Sequence, residues 1–156
     1  SAGQKLLVEY AVKLRRQGKN SKEIHEEIER IKTKISLLAC LDTLEYLHNG
    51  GRVSQTKAML ATVARIKPVI RLSGGNVEVL AKSFNIKRGI KSLAERLERE
   101  ELNPHFPVYV MYSDNESLAN DLTSDIKRLL PNVHSVETVK VGAVIGSHIM
   151  RVELHL

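Results

Sequence analysis

At 156 residues, with 42% hydrophobic and 27% charged side chains, the chain has the length and balance of one globular domain. Its formal charge of +6 comes with no long block of Lys or Arg, with basic and acidic residues alternating in "EEIERIKTK" and "AERLEREE", and with only 4% aromatics, which argues against nucleic acid as a partner. The lone Cys40 precludes an internal disulfide and fits a reducing, cytoplasmic compartment, and no apolar run reaches the roughly 18 residues of a membrane span.

The opening "SAGQKLLVEYA" is already helical in pattern, as if the chain were cut into rather than begun. Leu6, Leu7, Tyr10, Ala11 and Leu14 recur at helical spacing, and Gly18 stops the helix. Asn20 with Glu23 makes a capping box for a second helix, whose stripe is Ile24, Ile28, Ile31 and Ile35. His25 lies off that stripe among glutamates and reads as a solvated residue. "SLLAC" is a short strand, with Cys40 a small core residue.

"DTLEYLHN" reads as a brief helix capped by Asp42 and ended by Gly50 and Gly51, and "SQTKAMLATVARI" as another, capped by Ser54. "KPVIRL", "SGGN" and "VEVLAK" form a hairpin, with Gly74 and Gly75 supplying positive φ angles and Lys67 extended before Pro68. A helix follows from about Ile86 to Glu101 with Ile90, Leu93, Ala94 and Leu97 inward. "VYVMYS" is a strand, and "NESLANDLTSDIKRLL" a helix capped by Asp114 or Asn115. "SVETVKV" and "RVELHL" alternate as strands. The mixed order predicts an α+β fold, a two-layer lobe of helices packed on a mixed sheet of about six strands.

No pair of the six histidines sits at i,i+4 on a helix, and the cysteine is remote from all of them in sequence, so no metal and no cofactor is expected. "GGRVSQTK" lacks the strand and spacing of a phosphate loop. The informative stretch is "VGAVIGSH". Gly142, Ala143 and Gly146 leave room for a ligand beside the backbone, and Ser147 and His148 can donate hydrogen bonds to a carboxylate at the mouth of an apolar cavity. A tightly packed strand with a surfaced polar end would have the same composition. A Ser/His hydrolase is the lesser alternative. Adjacent strand side chains point to opposite faces, and there is no G-x-S-x-G elbow.

Several motifs in order resemble the DegV family of bacterial fatty-acid-binding proteins. They are "SAGQKLLV", "LDTLEYLHNGGRVS" (Leu41 to Ser54), "KAMLATVARIKPVIRL" (Lys57 to Leu72) and "GAVIGSH". The resemblance runs from Ser1 to about Ile149. It implies a single lobe over 1–156 similar to the later portion of a two-lobed protein, with a divergent tail at 149–156 and the first α/β lobe absent. It implies a lipid-binding module rather than an enzyme. A long-chain fatty acid would have its carboxylate near His148, with Ser147, Gly146 and Ile145 beside it and the tail in an apolar pocket. It further implies a fatty acid kinase as partner, with Arg52 near the docking face. Two departures stand out: "IMRVELHL" replaces the family's Gly-Pro-Gly segment, and Phe84 replaces a family arginine that helps dock the kinase. Loss of the first lobe leads to an expectation of self-association through the face it would have covered. The alternative is a truncated scaffold or interaction domain without ligand.

Overall fold

The computed structural model describes residues 2–43 and 66–142, together with the backbone of 153–155. Helix α1 (Ala2–Arg16) buries Leu6 and Leu14 and is closed by Gly18, whose φ is 86°. Helix α2 (Ser21–Lys32) begins with the expected capping box. The Asn20 side chain accepts from the backbone N–H of Glu23 at 3.0 Å, and the Glu23 carboxylate accepts from the backbone N–H of Asn20 at 2.9 Å. Strand β1 (Leu37–Cys40) is buried throughout. Strands β2 (Lys67–Ser73) and β3 (Asn76–Ser83) form the hairpin, with Ser73 opposite Asn76 and Gly74 and Gly75 at φ 56° and 81°. Both central residues have positive φ, as a tight two-residue turn between twisted strands requires.

Helix α3 (Ile86–Leu97) buries Ile90, Leu93, Ala94 and Leu97. Its start is fixed by Asn85, whose side chain accepts from the backbone N–H groups of Lys87 and Arg88. It ends short of the expected Glu101. After Leu97 the next apolar residue is Leu102, and the chain tightens into i→i+3 bonds, Arg99 to Arg96 and Glu100 to Leu97. Strand β4 (Val108–Tyr112) leads to helix α4 (Glu116–Leu129), which is capped by Asn115 rather than Asp114. Strands β5 (Val136–Lys140) and β6 (Glu153–His155) complete the set.

The described strands form one mixed sheet in the order β3-β2-β1-β6-β4-β5. Only β4 and β5 pair in parallel; the other neighbours are antiparallel. Strand β6, from the tail expected to diverge, lies in the middle, with Leu154 opposite both Leu38 and Val110. The α+β class and the mixed six-stranded sheet are those anticipated from the sequence. The two-layer description needs one refinement, because helices pack on both faces. On one face α3 and α4 bury Leu38, Cys40, Val69, Val108 and Val110. Tyr109 and Met111 alternate with those valines and so point the other way, where they pack with Ala2, Leu6 and Ile31 of α1 and α2. The first two helices are amphipathic on their own account and need an apolar face that α3 and α4 do not already occupy.

The expected helices over 42–49 and 54–66 lie largely outside the described residues, which resume at Ile66.

Candidate functional site

Strand directions gather one end of the sheet into a single line of chain ends. Strands β1, β3, β4 and β5 finish there and β2 and β6 begin there, so Ser83, Lys67, Cys40, Glu153, Tyr112 and Lys140 follow the order of the strands. The chain leaves the described residues from this end, after Thr43 and after Gly142, and re-enters at Ile66 and Glu153. Ile145, Gly146, Ser147, His148 and Arg52, the site residues named from the sequence, all lie outside the described residues. The described residues that flank the two stretches, Thr43 and Ile66 for one and Gly142 and Glu153 for the other, lie at this sheet end.

Two features there are built from described residues. The first is an apolar strip on the sheet face opposite α3 and α4. Leu37, Ala39, Leu41 and Ile70 are buried, with Leu72, Val77, Val79 and Val141 half-buried against them. Val141 also packs against the cluster beneath α1, so the strip is continuous with that core. The strip follows from period-two alternation: Leu37, Ala39 and Leu41 share one face, and Ile70 and Leu72 lie opposite Ala39 and Leu37.

The second is an ion pair at the sheet end. The Lys67 ammonium lies 2.6 Å from the Asp42 carboxylate and donates to the Asp42 carbonyl at 3.2 Å. The backbone N–H of Leu41 donates to the Pro68 carbonyl at 2.9 Å and extends the β1–β2 ladder to this point. The sequence reading assigned Asp42 only a capping role and Lys67 only an extended backbone. The antiparallel register, with Cys40 opposite Val69, is the signal that joins them. Nearby, burial pushes the Cys40 thiol up to about 12, only partly offset by Lys67. It stays protonated at neutral pH and is no nucleophile. The site end therefore offers hydrocarbon packing and a neutralised charge pair.

A further cluster escaped the sequence reading. The Tyr109 hydroxyl donates to Glu9 at 2.5 Å, and Lys5 bridges Glu137 at 2.7 Å and Glu9 at 3.4 Å, 4.3 Å from the centre of the Tyr109 ring. Burial and then the Glu9 hydrogen bond raise the Tyr109 phenol to about 12. The Tyr109 hydrogen bond is the main cause holding the Glu9 carboxyl below its ordinary range. Burial opposes the charge on Lys5, but Glu137 and Tyr109 outweigh it and raise that ammonium above its usual value. The cluster clasps α1 to β4 and β5.

Among the described residues no group of three or more His, Cys, Asp or Glu is placed to hold a metal ion, and no helix is long and apolar enough to cross a membrane.

The family profile described as "Uncharacterised protein, DegV family" matches residues 1–150. The chain belongs to the DegV family. A DegV domain-containing protein of Clostridium perfringens is 33% identical over 148 residues, which are 94% of this chain and 50% of that protein. Among solved structures, a fatty-acid-binding DegV protein from Thermus thermophilus superposes with a TM-score of 0.86 at 25% identity, over 99% of this chain and 56% of that one. The fatty acid kinase (Fak) B3 protein of Streptococcus pneumoniae, loaded with linoleic acid, shares the fold, with a TM-score of 0.82 at 21% identity over 96% of this chain and 54% of that one. The DegV chain described here spans about half the length of the curated relatives it matches.

Proposed function

We propose that this chain is a lipid-binding lobe of a DegV-type carrier, which holds a long-chain fatty acid and presents it to a fatty acid kinase without catalysing a reaction itself. The carboxylate would be met by His148 and Ser147, with Gly146 and Ile145 giving the ligand room beside the backbone. Arg52 would contribute to kinase docking. The observation that carries this reading is the continuous apolar strip, which runs to the sheet end from which both motif-bearing stretches depart. The fatty-acid-binding relative from Thermus thermophilus supports the same ligand class.

The energetics are consistent with such a ligand. A tail of about fifteen methylene and methyl groups gains on the order of 12 kcal/mol gross, at ~0.8 kcal/mol each. Ordering and translational losses take back about 4 kcal/mol or more. The carboxylate must still be hydrogen-bonded, since burying it unpaired costs several kcal/mol.

Mass spectrometry of an organic-solvent extract of the purified chain tests the proposal. A stoichiometric fatty acid is expected, and His148→Ala should release it. An empty extract would mean that this lobe alone does not enclose the ligand, and would favour a scaffold that needs a partner.

A further inference from the structure

The backbone ladder between β1 and β2 stops just short of Asp42. Cys40 lies opposite Val69, and the Leu41 N–H donates to the Pro68 carbonyl at 2.9 Å. Pro68 has no N–H to return that bond, so main-chain contacts alone cannot complete the pairing there. The Lys67 side chain takes over. Its ammonium lies 2.6 Å from the Asp42 carboxylate and donates to the Asp42 carbonyl at 3.2 Å. With side-chain exposures of 24% and 26%, this is the least exposed ion pair among the described residues, so water and salt weaken it less than the others. Lys67 is itself held from the other side, since it lies opposite Ser83, and Pro68 opposite Lys82, in the β2–β3 hairpin. Lys67 is thus the fixed post and Asp42 the end that it holds. Thr43 follows Asp42 and Ile66 precedes Lys67, and between them the chain runs through 44–65, which include Arg52.

We propose that Asp42 and Lys67 are positioning residues: together they close the base of the excursion over 43–66 and so fix the placement of the stretch that carries Arg52. Closing a long excursion costs chain entropy, and a half-buried hydrogen bond to a charged group is among the stronger single contacts that can offset it. The carbonyl contact matters as much as the charge. It holds the main chain of Asp42 as well as its side chain, and so sets the direction in which the chain leaves β1. A pair of the Lys32–Glu29 kind joins two side chains of one helix and constrains nothing beyond it. The latch stands on these contacts alone; its use, the presentation of Arg52 to a kinase, rests on the function proposed above.

Deuterium exchange of the whole chain tests the latch. Lys67→Met keeps the aliphatic stem and removes the ammonium. In this variant the amides of 44–65 should exchange roughly tenfold faster, while those of α4 (Glu116–Leu129) keep the parent rate. Trypsin should cut after Arg52 faster by a similar factor. Lys67→Arg, which can still donate to both the carboxylate and the carbonyl of Asp42, should stay within about twofold of the parent chain. Asp42→Asn loses the charge but keeps an acceptor oxygen and the carbonyl contact. It should fall between the two, and it carries the comparison if Lys67→Met does not fold. Unchanged exchange in 44–65 overturns the proposal. So does an equal acceleration in α4, or a Lys67→Arg chain that exchanges like Lys67→Met. Solvent extracts of the same preparations keep the two readings apart. Local acceleration in a chain whose parent extract is empty sinks the fatty-acid reading and leaves the latch standing; a stoichiometric fatty acid with unchanged exchange does the reverse.

Discussion

At Gly89 the absence of a side chain is a packing requirement. A Cβ there would lie 2.3 Å from the Cys40 sulfur, so α3 rests on β1 at a point where neither residue can grow. Gly89→Ala should lower stability in urea denaturation by roughly 1–3 kcal/mol. Cys40→Ala in the same chain should restore much of that, because the two residues share one space. Simple addition of the two separate losses would refute the contact. The burial of Cys40 was legible from the apolar run around it. Its contact with Gly89 was not, since a glycine inside a helical pattern reads only as weak propensity until the partner strand is known. Asp42 and Lys67 escaped for a similar reason: their charges meet through a register that no local pattern specifies.

Among the elements, α1 is held to the sheet by apolar packing and by the Tyr109, Glu9, Lys5 and Glu137 cluster. The phenol of Tyr109, raised from 10.0 to about 12, keeps its proton in the folded chain where the unfolded chain would release it. Stability should therefore fall as pH rises through that window, and Lys5, also raised, acts in the same sense. Thermal melts of Tyr109→Phe against pH should show a shallower alkaline decline than the parent chain. An identical decline would mean that this phenol does not titrate with unfolding. The hairpin, the Asn20 capping box and the inward face of α3 were all readable, because each rests on spacing within a few residues. The division of helices between two faces was not. Both α1 and α3 show a single apolar stripe, and a stripe does not say which side of a sheet receives it.

For the molecule as a whole, Val8 and Val12 remain 56% and 45% exposed, one helical turn apart on α1. With relatives about twice as long, we expect the 156-residue chain on its own to self-associate. Sedimentation velocity should show a mass that rises with concentration, and a clean monomer throughout would count against it. The family, the α+β class and the positions of the described strands along the chain could be read from motifs and alternation; their order in the sheet could not. The residues named for the ligand, Ile145 to His148, and Arg52 rested on the family resemblance, and what the fold adds is the common sheet end from which their stretches depart.

The central place of β6 has a consequence for how the chain is made. Every other described strand precedes it in sequence, and it alone joins the β3-β2-β1 half to the β4-β5 half. On the ribosome both halves emerge before the strand that unites them, and the inner edges of β1 and β4 wait unpaired in the meantime. Such edges invite strands from other chains. The step that completes the described sheet is then a long-range one, slow relative to the hairpin and helices, and it waits on the three residues of β6.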